Sequence, residues 1–199
     1  MSLIKIFMKR LIYVFLCLLF FSCSEIDKSL NKKSGSDQRI TADLNYNPEA
    51  NLKSLGIVFR DQGKPVANYV HAVKSGNLLF LAGKGPKQAN GENIVGKLGE
   101  DLNIDEGYAA AREVGINQLS VLKMELGDLN KIKRIVKVYG MVNATLDFTD
   151  HSKVINGYSD LMVAVFGEKG KHARAAVGMG SLPGNMAVEV EMIVEVYEE

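Results

Sequence analysis

Hydrophobic and polar positions alternate most cleanly at the end of the chain. Val188, Val190, Met192, Val194 and Val196 fall on one side, and Glu189, Glu191, Ile193, Glu195 and Tyr197 on the other. That period of two predicts a strand with one buried face. The stretches Tyr69–Val73 and Leu78–Ala82 flank Gly76-Asn77, a favoured tight-turn pair, and predict a hairpin. Ile57-Val58-Phe59 predicts a further short strand ahead of it. Val136, Val138, Gly140, Val142 and Ala144 predict the apolar face of another strand, with Ile135, Lys137, Tyr139, Met141 and Asn143 opposite. His172–Val177 reads as a strand, and Leu182-Pro183-Gly184 as a turn.

Helical spacing appears elsewhere. Asn47-Pro48-Glu49 opens a short helix that Gly56 stops. Asn103–Glu106 is a capping box, and Tyr108, Ala111, Gly115, Leu119, Leu122 and Leu126 recur at steps of three and four until Gly127. Gly115 in that stripe predicts close approach to a sheet. Asp150 is placed to cap a second long helix with Ile155, Tyr158, Leu161, Met162 and Val165 inside and Gly167 at its end. The order is β-β-β-α-β-α-β-β. Two helices cannot cover both faces of so large a sheet, so an α+β layer is expected: a mixed sheet with both helices on one face. The uncovered face would carry Tyr139, Met141, Ile193 and Tyr197, which predicts burial against another subunit.

The first 22 residues follow a different logic. Lys5, Lys9 and Arg10 precede an unbroken apolar run of 11 residues, Leu11 to Phe21, and then Ser22. This is the layout of a secretory signal, and the run is short for a membrane span of about 20 residues. Phe20-Phe21-Ser22-Cys23 resembles a bacterial lipobox, which implies lipidation of Cys23. Residues 24–45 are polar, without apolar periodicity, and read as a tether. The expected organisation is a signal peptide at 1–22, a lipidated Cys23 and tether at 23–45, and one domain at 46–199. Its expected location is the cell envelope, on a membrane anchor, periplasmic or at the surface.

Charge and composition narrow the chemistry. Without the three basic residues of the leader, the 24 Lys and Arg fall to 21 against 23 Asp and Glu, a net charge of −2. That is a poor surface for a phosphate backbone, so no nucleic-acid partner is expected. Both cysteines, Cys17 and Cys23, precede the domain, which leaves it no disulfide and no catalytic thiol. His71, His151 and His172 fall on separate elements without metal-ligand spacing, and neither a metal nor a cofactor is expected. Arg174 stands out because Ala173, Ala175 and Ala176 surround a long planar cation with small side chains, leaving room for a small carboxylate. Glu191 would face it if the last two strands pair. From spacing alone, such a pair reads first as a surface salt bridge.

The hairpin Ala67–Val73 and Ser75–Gly83 resembles the opening of the Rid superfamily, the YjgF-type reactive intermediate deaminases. Ala173-Arg174-Ala175-Ala176-Val177, Leu182-Pro183 and Val188–Ile193 are similar to its C-terminal signature, and Val154–Tyr158 with Val165-Phe166-Gly167 to its second helix. The stretch Gly83-Lys84-Gly85-Pro86 is most similar to the branch called L-PSP endoribonuclease-like. The resemblance implies a chorismate mutase-like fold and a homotrimer with clefts between subunits. It also implies hydrolysis of small enamine or imine acids such as 2-aminoacrylate. By position, Arg174 would clamp the carboxylate and Glu191 would position water. Tyr69, Gly83 and Asn156 would bind substrate. A non-catalytic ligand-binding trimer of the same fold is the alternative, and an endoribonuclease, disfavoured by charge, a third. Four positions depart from the family pattern: Ala176 replaces a common cysteine, Ala82 a serine, and His71 and Lys84 glutamines.

Overall fold

The computed structural model describes residues 46–198. The leader, Cys23 and the tether lie outside the described residues. Helix α1 spans Pro48–Ser54, α2 Ile104–Leu126 and α3 His151–Phe166. Strands β1 (Ala72–Ser75), β2 (Leu78–Lys84), β3 (Ile132–Asn143), β4 (Ala173–Met179) and β5 (Val188–Val196) form one sheet in the order β1-β2-β5-β3-β4. Every neighbouring pair is antiparallel except β3 and β4, which run parallel. A parallel pair needs a crossover, and α3 supplies it.

The strand with the clearest alternation holds the middle of the sheet. Val188, Val190, Met192, Val194 and Val196 of β5 are all buried under the helices. On that side Gln118 of α2 donates to Val190 O at 2.8 Å, and Tyr158 of α3 reaches Met192 Sδ at 3.1 Å. The capping box on α2 is complete, with the Asn103 side chain on the Glu106 N–H and the reverse. Gly127 ends the helix at φ +72°. Asp150 sits at the N-cap of α3, but its side chain makes no cap bond and pairs instead with Lys153 at 3.0 Å.

Three expectations fail locally. Ile57-Val58-Phe59 forms no strand, so among the described residues two strands rather than three precede α2. The segment lies against α2 through its side chains, with the Arg60 N–H on Ser120 Oγ at 3.0 Å and its guanidinium on Glu113 at 2.6 Å. Gly115 does not meet a sheet. A Cβ there would touch Leu161 and Met162, so it serves the crossing of α2 and α3. In β3 the register slips between Ile135 and Lys137. That bulge turns Ile135 into the core, while Val136 is only half-buried.

Candidate functional site

Arg174 lies on β4, the edge strand beyond β3. Alternation directs positions 174, 176 and 178 toward α3, where a Cβ at Gly178 would run into the His151 ring. The Arg174 guanidinium donates through Nη1 to Asn156 Oδ1 at 2.9 Å and to Ser159 Oγ at 3.0 Å, and through Nη2 to Ser152 O at 3.4 Å. Asn156 and Ser159 stand three apart on α3 and so share one helix face. Three of the five guanidinium N–H groups are engaged this way. The edge formed by Nε–H and the remaining Nη2–H matches the spacing of two carboxylate oxygens. Behind it, Ser159 Oγ lies 3.0 Å from His172 Nε2, and His172 Nδ1 lies 2.7 Å from Gly170 O. Burial, foremost, and the Arg174 charge hold His172 below its ordinary range, against the Gly170 bond that favours its charged form.

A second group gathers on the opposite face. Gly83, at the bulge that ends β2, is packed so closely by Glu189 that a Cβ would overlap its carboxylate oxygen. Burial and then the neighbouring Glu191 raise the Glu189 carboxyl above the usual carboxylate range. A cleft of about 340 Å³ is lined by Val73, Phe80, Lys137, Tyr139, Glu191 and Ile193, and by neither Gly83 nor Glu189. Glu191 itself is exposed.

Arg174 and Glu191 therefore do not converge within one chain. β4 and β5 do not pair, because β3 lies between them. Arg174 aligns with Val138 and through it with Met192, on the helix side, whereas Glu191 aligns with Tyr139 and Ala175 on the open side. Asn156 does meet Arg174. Tyr69 and His71 precede β1 instead of lying on it. Tyr69 is 47% exposed. His71 is buried, with Nε2 3.0 Å from Gly63 O and Nδ1 2.7 Å from the Lys84 ammonium. Burial lowers Lys84 below the usual lysine range. Spacing did not single out Glu189, Ser159 or His172. For Glu189 a signal existed, since the alternation puts it on the same face as Glu191.

A family model described as "YjgF/chorismate_mutase-like, putative endoribonuclease" matches residues 49–196. The chain belongs to the YjgF family. Among the relatives of this YjgF domain, a protein of Trypanosoma cruzi named TCP17 is 46% identical over 147 residues, 73% of this chain and 92% of the relative. A RutC family protein of Pyrococcus horikoshii is 30% identical over 72% of this chain and 98% of its own length. Solved structures agree with the YjgF fold. A protein of unknown function from Agrobacterium tumefaciens superposes with a TM-score of 0.70 at 41% identity, over 75% of this chain and 94% of its own. A candidate endoribonuclease from Shewanella oneidensis gives 0.73 at 31% identity, over 75% and 99%.

Proposed function

We propose that this YjgF domain is a Rid-type deaminase that hydrolyses small enamines or imines bearing a carboxylate. The observation that carries the reading is Arg174, held by Asn156 and Ser159 with one two-pronged edge left for a carboxylate. Its partners in catalysis lie on the far face of the sheet, so the site needs a second copy. A ring of three would bring the open face of one sheet, with Gly83, Glu189 and Glu191, against the β4 edge of the next.

The chemistry asks for little. The enamine takes a proton on carbon and becomes an imine, water adds to the C=N carbon, and the carbinolamine loses ammonia to leave a 2-oxo acid. A carboxyl held above the usual carboxylate range is a stronger base toward the attacking water and can return the proton to the leaving nitrogen. Glu189 has that environment, and Glu191, the residue indicated by family position, raises its proton affinity. The net charge of −2 outside the leader and the carboxylates on the open face disfavour ribonuclease activity.

The test is freshly generated 2-aminoacrylate with the purified domain. Pyruvate and ammonia should appear faster than in buffer, and Glu189→Gln should slow release by about a hundredfold. A rate equal to buffer, with thermal stabilisation by pyruvate, would leave a binding protein without turnover. We also place the domain at the envelope through a lipid on Cys23. Cys23→Ala should move the protein from the membrane to the soluble fraction on cell lysis, and an unchanged distribution would remove the lipid anchor.

A further inference from the structure

The bulge that ends β2 is held from behind, and the inference here rests on the reading of Glu189 as the acid–base residue. The β2–β5 register slips between Leu81 and Lys84, so Ala82 and Gly83 together stand opposite Glu191. A bulge disrupts the ladder locally and re-aims the chain. Here it brings Gly83 against the Glu189 carboxylate on the open face. On the other side of the sheet Gln118, a fully buried residue of α2, donates through Nε2 to Ala82 O at 3.0 Å and to Val190 O at 2.8 Å. These carbonyls border the bulge, one on each strand. We propose that Gln118 is a positioning residue: its amide ties the two strands across the bulge and so sets the Glu189 carboxylate over Gly83.

The amide can lie only one way round. Turned by 180°, it would set Oε1 against two carbonyl oxygens. As it stands, Oε1 is buried with no hydrogen-bond partner, so the two donor bonds alone orient the side chain. Both bonds end next to the site. Ala82 O belongs to the peptide unit of the Gly83 N–H, and Val190 follows Glu189. In a trans peptide the carbonyl and the N–H point opposite ways, so an Ala82 carbonyl fixed toward α2 turns the Gly83 N–H away from the helices, to the side where Glu189 lies. Asn117, the preceding residue, is a comparison within the same helix. It is also buried, and it donates to Gly85 O at 3.1 Å and Lys87 O at 2.9 Å, both beyond the bulge. The charged group acting on Glu189 is Glu191 on its own strand, and its β3 partner is the uncharged Met141. Burial is the larger cause of the raised Glu189 carboxyl, so leaving its seat over Gly83 would return it toward the ordinary carboxylate range.

Gln118→Met keeps nearly the same length and removes both donors. Carbon NMR of the Glu189 carboxyl should then show it titrating nearer the ordinary carboxylate range than in the parent, a readout that needs no substrate. With 2-aminoacrylate, the acid limb of kcat/KM should move to lower pH, because a weaker base stays deprotonated further down. The value of kcat should fall about tenfold, the effect of about one hydrogen bond. Gln118→Asn keeps an amide that is one methylene too short to reach both carbonyls. It should move both readouts in the same direction, and it carries the test if Gln118→Met does not fold. Asn117→Leu loses the same kind of bonds beyond the bulge. It should lower Tm but leave kcat and the Glu189 titration near those of the parent. An unchanged titration and kcat in the Gln118 variants, or an equal loss of kcat in Asn117→Leu, would overturn the positioning role. A parent that releases pyruvate no faster than buffer, with the titration shift still present, would overturn the deaminase reading and leave the placement of Glu189 standing.

Discussion

Replacing Gly157 by alanine should cost about 3 kcal/mol and lower Tm by roughly 6–12 °C. Helix propensity alone predicts the opposite sign, since alanine is favoured over glycine by about 1 kcal/mol in a helix interior. What decides the sign is the crossing of α2 and α3. A Cβ at Gly157 would overlap the carbonyl of Tyr108 on α2, a backbone atom that cannot swing away as a side-chain tip can. Gly107 and Gly115 are also closely packed from the α2 side, there against side chains, those of Leu98 and Val154 and that of Leu161. The two helices meet at glycine-scale separation, so one methyl must either push them apart or distort a helix. Gly180→Ala is the control, since nothing lies within 4 Å of its Cβ position and its φ is ordinary. It should leave Tm within about 1 °C. Thermal unfolding followed by circular dichroism separates the two. A Gly157→Ala protein as stable as the parent would show that the helices can part at little cost.

The same packing explains what the chain discloses before any coordinates. β5 was legible because a strand buried on one face writes its geometry as a period of two, and α2 because its capping box and terminal glycine mark both ends. Ile57–Phe59 reads as a strand since apolar residues two apart can pack on a core from an extended segment outside any sheet, with Val58 between them exposed. Here Ile57 and Phe59 pack on the core while the following N–H goes to the Ser120 hydroxyl. The pairing of strands was less legible still. β4 and β5 follow one another across the Leu182-Pro183-Gly184 turn, which leaves their pairing open, and the α3 crossover delivers β4 to the outer edge of β3 while β5 inserts between β2 and β3. For the candidate site, the environment of Arg174 could be anticipated from its alanine neighbours, and Asn156 by family position. The separation of Arg174 from Glu191 could not, because it depends on the strand order. Glu189 and Glu191 are equivalent by alternation, and only the bulge that ends β2 sets Gly83 against Glu189.

Arg174→Ala should lower kcat/KM toward 2-aminoacrylate by at least about a hundredfold while leaving Tm within roughly 3 °C. The activity loss follows from two charge-assisted hydrogen bonds to one carboxylate, each worth about 1.5–3 kcal/mol. The small change in stability follows from position: Arg174 is on an edge strand, half-exposed, and its bonds to Asn156 and Ser159 join polar side chains that water can serve instead. Arg174→Lys separates charge from shape. An ammonium keeps the positive charge but cannot bond Asn156 and Ser159 and still present two parallel donors, so it should recover only a minor part of the rate. Added guanidinium should partly restore Arg174→Ala and not the Glu189→Gln protein, because it fills the space of the missing fork and no other. Rates of pyruvate formation with and without guanidinium settle the matter. An Arg174→Ala protein working at the parent rate would mean that the substrate carboxylate is held elsewhere, and the group formed by Arg174, Asn156 and Ser159 would then be a structural contact between β4 and α3.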